Sequence, residues 1–528
     1  MTRTRWKDSR TALGAARPRR DFGARGQRIW KSTWGAHHLR CPRRCDGLFA
    51  SPLRPTRRAT VRDRGTPPDS ALCAGGTLET TLRSTAVMEF CIAALVSLAS
   101  CGSSTSTHLD AGTSTGSASD GWSSGTCGRG TAAFVLNSNS IEESDKSYSA
   151  TATDESAICI TGTATSVTLT DPIVATSGAT SSTDESSFYG LDAAVLDYDG
   201  GDISISGGTI TTSGQGGNAI FAYGSGKVTI SNTIVSATGA NAHGLYAAGG
   251  GQMVVTDATA STTGSAASVV ATDRGGGTIT ITGGRYTSAG QRSAGIYSTG
   301  TVAASNATFG VTNAEAVVVE GSNSATLNNA TITAVSGTSE HRGVFLYQSM
   351  SGDATSSSCG TGACLAMTGG SFLYSDTTNS SSDATANCAA FAVANQVAHI
   401  TLTDVTITNK CPTFLLSALN PNWNYKGGDA TVAARGVNLT GDVIVDSVST
   451  ANITLASSSK SASTLTGAVN GNGKGSSVSL TLDSASRWIV TGTSHLTALT
   501  DADAGYHNIT CQISGCKVYV GANPISIN

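Results

Sequence analysis

Between Asp199 and Gly300 short alternations of apolar and polar residues return four times. They read Ile-Ser-Ile-Ser from Ile203, Val-Thr-Ile-Ser from Val228, Val-Val-Thr from Val254 and Ile-Thr-Ile-Thr from Ile279. A period of two is the signature of a half-buried strand, so Val228 and Ile230 face a core while Thr229 faces water. Each strand closes on Gly207, Asn232, Asp257 or Gly283, and the same slot recurs at Asp171, Asn306, Asn329, Gly369 and Asp404. Glycine, asparagine and aspartate alone fill it. They are the residues that enter the left-handed backbone region at least cost, so a turn with positive φ is expected at all nine positions.

From Gly207 to Asn329 the slots are 25, 25, 26, 23 and 23 residues apart. A fixed period in the twenties marks a solenoid whose repeats bury their apolar faces only against one another. One period accommodates three short strands and three turns. From Val228 these are Val-Thr-Ile, then Thr-Ile-Val-Ser after Asn232, then Gly-Leu-Tyr-Ala after His243, closed by Gly249, Gly250 and Gly251. The expected fold is all-β, a right-handed single-stranded parallel β-helix with three strands per coil. The longer steps, Asp171 to Gly207 and Asn329 to Gly369, read as coils interrupted by Ser/Thr/Asp-rich or Cys-bearing loops.

Composition adds the boundaries. Aromatic residues make up 5% and charged residues 13% of 528, and 62 are glycine, a mixture that would suggest disorder were it not for the periodic Val/Ile pairs. Residues 1–87 carry 19 Lys and Arg against 6 Asp and Glu, whereas residues 101–528 carry 14 against 29, a net −15 that the whole-chain value of −3 conceals. The basic segment fits no nucleic-acid-binding module. It reads as a disordered extension, or as upstream sequence translated from too early a start.

An apolar run from Phe90 to Cys101 follows, too short to span a bilayer but suited to a signal peptide, which places a leader at 88–100. Its end, Leu98-Ala99-Ser100-Cys101, resembles the lipobox of bacterial lipoproteins. The resemblance implies cleavage before Cys101 and a lipid on that residue; a start at Met88 departs from it by leaving no basic n-region. Residues 101–130 are Ser/Thr/Gly-rich and read as a tether, with the β-helix and its N-terminal cap occupying 131–528.

Beyond Cys101 eight cysteines remain: Cys127, Cys159, Cys359, Cys364, Cys388, Cys411, Cys511 and Cys516. They fall in local pairs, and Cys388 and Cys411 are one coil apart. Neighbours are therefore expected to pair in order, in an oxidising compartment. Structural zinc would need closely spaced Cys and His ligands, and that spacing is absent.

From Ser477 to Thr500 a Leu-Thr-Leu-Asp segment, Trp488, an alternating strand, a Thr-Gly-Thr-Ser turn and Leu-Thr-Ala-Leu resemble the last coils of autotransporter passengers and adhesin-like β-helices. The resemblance implies an adhesive, cell-surface β-solenoid of the pectin-lyase-like kind. The chain departs from that family because only Asp501–Asn528 follow the match and no translocator barrel is expected. The lipobox would serve as anchor.

The polar candidates for catalysis sit in the loops after the third strand: Asp197, Asp199, Asp202, Lys227, Gln252, Asp273, Arg274 and Glu320. Asp199 and Arg274 are three coils apart, about 14 Å at about 4.8 Å per coil, beyond the reach of an acid/base pair. His243 has no acidic partner in adjacent coils, and few aromatic or basic groups are expected on this side. Asp197, Asp199 and Asp202 form a weak calcium candidate, read mainly as solvated acids. Outward threonines such as Thr229, Thr278, Thr280 and Thr282 raise an ice- or mineral-binding reading, although threonine is also an ordinary solvent-facing strand residue. The expected function is therefore an exported, lipid-anchored, adhesin-like or structural binding protein at the outer membrane or cell surface. It would have no catalytic site, no cofactor and no nucleic-acid partner, with a glycan or cell-surface ligand. The alternative is a polysaccharide-processing lyase or glycoside hydrolase.

Overall fold

The computed structural model describes residues 121–337, 341–352, 354–377, 388–419 and 426–527. The basic segment, the leader, Cys101 and the tether up to Asp120 lie outside them.

One coil shows how the alternation becomes structure. Lys227–Ser231, Ile234–Ala237 and Leu245–Ala248 are three strands joined by turns, and each pairs in parallel with its counterparts one coil before and one coil after. Repeated along the chain, these strands build a thirteen-stranded, a fourteen-stranded and a ten-stranded sheet, so the chain is a parallel β-helix. Towards the C-terminus the strands Asn438–Thr440, Thr464–Thr466, Arg487–Val490 and Ile509–Cys511 form a separate four-stranded sheet, while the fourteen-stranded sheet runs on to Ala498–Asp501. Among the described residues only two pairings are antiparallel. They lie near the two ends, Ser123–Cys127 against Gly130–Asn137 and Val518–Val520 against Asn523–Ile525.

All nine slot residues have positive φ, between 49° and 69°. The backbone N–H of each donates across the coil boundary to the carbonyl just before the next slot, as in Gly207 to Ser231 (2.8 Å), Asn232 to Thr256 (3.0 Å) and Asp257 to Thr282 (2.9 Å). The column extends further than the sequence reading took it, to Asp145 (φ 56°) and Gly436 (φ 67°). At Gly207 and Gly283 the absent Cβ also leaves room for the carboxylate of Asp171 or Asp257 on the preceding coil, which a Cβ would displace.

The interior is a ladder of aliphatic residues. Ile203, Val228, Met253, Ile279, Val302 and Ala325 stack in register on the fourteen-stranded sheet, each no more than 1% exposed. Burying each of the larger ones contributes about 1.5–3 kcal/mol before chain entropy is charged. Side-chain volume is balanced along a column, since small Ala260 precedes Tyr286, whose ring stacks on Phe309 at 5.1 Å.

The four disulfides join neighbours in order, Cys127–Cys159, Cys359–Cys364, Cys388–Cys411 and Cys511–Cys516, with Cα separations of 5.5–6.2 Å. Two expectations change. The folded body takes in Gly121–Gly130, which had been read as tether, because Trp122 packs edge-on against Phe134 and Tyr148. The Asp171–Gly207 insertion is also more than a loop. It contains the helix Thr183–Tyr189, with Ser182 as N-cap and Gly190 (φ 74°) closing it.

Candidate functional site

Two departures from the repeat adjoin strands of the thirteen-stranded sheet. The helix Thr183–Tyr189 enters just before the strand Val195–Tyr198, and the segment 348–362 leaves just after the strand Arg342–Tyr347. Residues 420–425 lie outside the described residues. The covered stripe includes Leu196, Phe221, Tyr246 and Ala271, which occupy outward strand positions yet are at most 1% exposed.

The helix is held by rings and cations. The Arg129 guanidinium lies 4.3 Å from the Tyr189 ring centre and that of Arg274 lies 3.9 Å from Phe188, while Arg129 also faces Glu185 at 3.6 Å. Beside it, Tyr198 and Tyr223 stack at 4.7 Å. The backbone at Gly128 and Gly249 runs close against Tyr198 and Tyr223, so that a Cβ at either glycine would strike the ring beside it. The expectation of few aromatic and basic groups on this side is overturned. Phe188 and Tyr189 come from the inserted helix and Arg129 from an N-terminal turn, neither of which strand periodicity registers, while Tyr198, Tyr223 and Tyr246 lie on the repeat strands; Ser182-x-x-Glu185 before Gly190 is a readable helix signature.

Further along, Glu320 is 2% exposed. It accepts hydrogen bonds from the Tyr297 hydroxyl, from Tyr347 Oη (2.8 Å) and from the Ser349 amide (3.3 Å). Burial, followed by the Glu320 charge, holds both tyrosine hydroxyls well above their ordinary range. The segment 348–362 is tied down nearby: the Ser358 hydroxyl donates to Gly300 O at 2.6 Å and the Cys359 amide to Ser322 O at 3.0 Å. Glu320 is thus the anchor of a strap. Asp273 accepts from Tyr246 Oη at 2.8 Å and from the Arg274 amide at 2.7 Å.

The calcium candidate is not brought together. Asp197 points into the coil, 0% exposed, and accepts from the Lys227 amide at 2.8 Å. Asp199 forms a turn at φ 58°, and exposed Asp202 faces Lys227 Nζ at 3.9 Å. Among the described residues no three His, Cys, Asp or Glu side chains are placed to hold a metal. Burial pushes Asp197 up to about 7, and it does the same to Asp192, whose carboxylate accepts from the Glu155 amide. His243 packs against Tyr246 at 4.5 Å, and burial lowers its pKa to about 4, so it is a neutral packing residue at physiological pH. Gln252 stands exposed on the fourteen-stranded sheet. Cys101 lies outside the described residues.

No protein-family model, no curated protein and no solved structure matches this chain.

Proposed function

We propose that this chain is an exported, lipid-anchored β-helix that acts at the cell surface as an adhesin-like or structural binding protein. The observation that carries this reading is the arrangement of the repeat. Coils of one design form a long rigid scaffold, and the insertions read from the described residues adjoin strands of one sheet, where contacts can repeat along the axis. Multivalent attachment then acts through effective concentration instead of one deep pocket. Four disulfides support an oxidising compartment. The lipobox and the resemblance of Ser477–Thr500 to autotransporter passengers support export and adhesion.

One observation favours the alternative of a polysaccharide-processing enzyme, namely that Tyr297, Glu320 and Tyr347 converge. Against it, Glu320 is 2% exposed and its carboxylate is engaged by three hydrogen bonds, which leaves it without access to a glycosidic bond. Incubation with neutral and acidic polysaccharides should release no new reducing ends and no unsaturated products; turnover abolished in Glu320→Gln would establish the enzyme reading. The binding reading is tested by screening the protein against glycan arrays and isolated cell walls, where retention is expected and absence of any retention contradicts it. For the anchor, Cys101→Ser should abolish labelling by a fatty-acid probe, and persistent labelling removes the lipid from the account.

A further inference from the structure

The inserted helix Thr183–Tyr189 is gripped at both ends by one turn of the preceding coil, residues 152–155. At its entry the Ser181 amide donates to Asp154 Oδ1 at 2.7 Å and the Thr180 hydroxyl to the same oxygen at 3.4 Å. At its exit the Glu155 amide donates to Asp192 Oδ1 at 3.2 Å. Asp192 is 1% exposed, and among the described residues its Oδ2 has no hydrogen-bond partner. A bare carboxylate is among the costliest groups to bury in that condition.

The repeat shows what the Asp192 position requires. Gly178, Gly214, Gly239, Gly264 and Gly290 form a column in which each glycine lies against the carbonyl of the one before, and Ser293 fills the position of Asp192 four coils on. Its hydroxyl accepts from the Ala267 amide at 2.9 Å and donates to Gly264 O at 2.7 Å. Asp192 reproduces the first bond with the Glu155 amide. The carbonyl that stands where Gly264 O stands is Ala152 O, which lies against Gly178 as Gly264 O lies against Gly290. A carboxylate has no hydrogen to offer a carbonyl, whereas a protonated carboxyl both accepts and donates as serine does. The charged groups that bear on Asp192 are acidic, Asp154 and Glu155 of the gripping turn. On the helix Asp184 is exposed, and Glu185 faces Arg129, whose guanidinium is turned to Tyr189. We propose that the helix is a pH-controlled clasp: protonated Asp192 holds it on the coil, and loss of that proton releases it and uncovers Leu196 and Phe221, against which Gly190 packs.

Burial and, in smaller measure, the Asp154 and Glu155 charges push docked Asp192 up to about 7, against the effect of the Glu155 amide. A released, solvated aspartate titrates near about 3.9. Between those values the docked form binds one more proton, so opening of the helix becomes about tenfold more frequent per pH unit and levels off above about pH 7.

Amide hydrogen exchange of the full chain from about pH 5 to about pH 8, corrected for the intrinsic rates, reads this opening. Protection of 183–189 should fall about tenfold per pH unit up to about pH 7, and the strand Ile220–Tyr223 should stay better protected than the helix at every pH. Asp192→Asn, which offers a hydrogen at any pH, should hold helix protection flat, whereas Asp197→Asn should keep the wild-type decline. A flat wild-type profile overturns the proposal, as does a decline that persists in Asp192→Asn or equal protection of helix and strand. Should Asp192→Asn not fold, Asp197→Asn still decides, because a decline lost there belongs to the other buried carboxyl and removes the clasp.

Discussion

At the scale of single residues the account rests on backbone conformation. Asn232 sits at φ 53° and donates its amide to the next coil. Asn232→Val should cost about 1–2 kcal/mol for forcing a β-branched residue into the left-handed region, whereas Asn232→Gly should be nearly neutral; urea midpoints of the two variants separate these outcomes. Buried acids make the second residue-level prediction. Asp192 and Asp197 hold their protons up to about pH 7 in the folded chain, whereas unfolded aspartate titrates near 3.9. Between those values the folded state binds more protons than the unfolded one, so stability falls as pH rises from about 4 to about 7 and levels off above. Melting temperatures across that window should decline for the wild-type chain, and the decline should flatten in the Asp192→Asn, Asp197→Asn double variant. An unchanged slope would mean that neither carboxyl is protonated at neutral pH.

At the scale of elements the strap and the cross-coil disulfide can be separated from the coil that carries them. Glu320→Ala leaves the Tyr297 and Tyr347 hydroxyls without their acceptor and should cost about 1–3 kcal/mol per orphaned group. Glu320→Gln keeps an acceptor and should cost less. Hydrogen exchange should quicken at 349–358 in the alanine variant while the strand Ser324–Asn328 stays protected; uniform protection across both would show that the strap is held by something other than Glu320. Cys388 and Cys411 are 23 residues apart in sequence. Replacing both by serine should lower stability by about 3 kcal/mol on the chain-entropy account of loop closure, as read from the denaturation midpoint, and a negligible shift would show that the bond constrains little in the unfolded chain.

At the scale of the whole molecule, what could be read from the chain was what repeats. The Ile/Val alternation, the Gly/Asn/Asp slots and the evenly paired cysteines all reappear in the folded chain, because each follows from a local rule applied once per coil. What could not be read was what happens once. The helix Thr183–Tyr189 arises from a single capping sequence in a Ser/Thr-rich stretch, and Tyr198, Tyr223 and Tyr246 came together only when three coils aligned them. Asp197 looked like a loop acid beside Asp199 and Asp202, yet it occupies an inward strand position, since a shift of one residue exchanges core for solvent. The stack itself remains the central claim, and cysteine pairing tests it most directly. In the Ser204→Cys, Thr229→Cys variant, which places the two thiols opposite each other on adjacent coils, mild oxidation of the monomer should yield a peptide linking positions 204 and 229, whereas Ser204→Cys with Thr280→Cys, three coils apart, should yield none. Failure of the first link, or equal yield of the second, would contradict the coil register and the binding scaffold built on it.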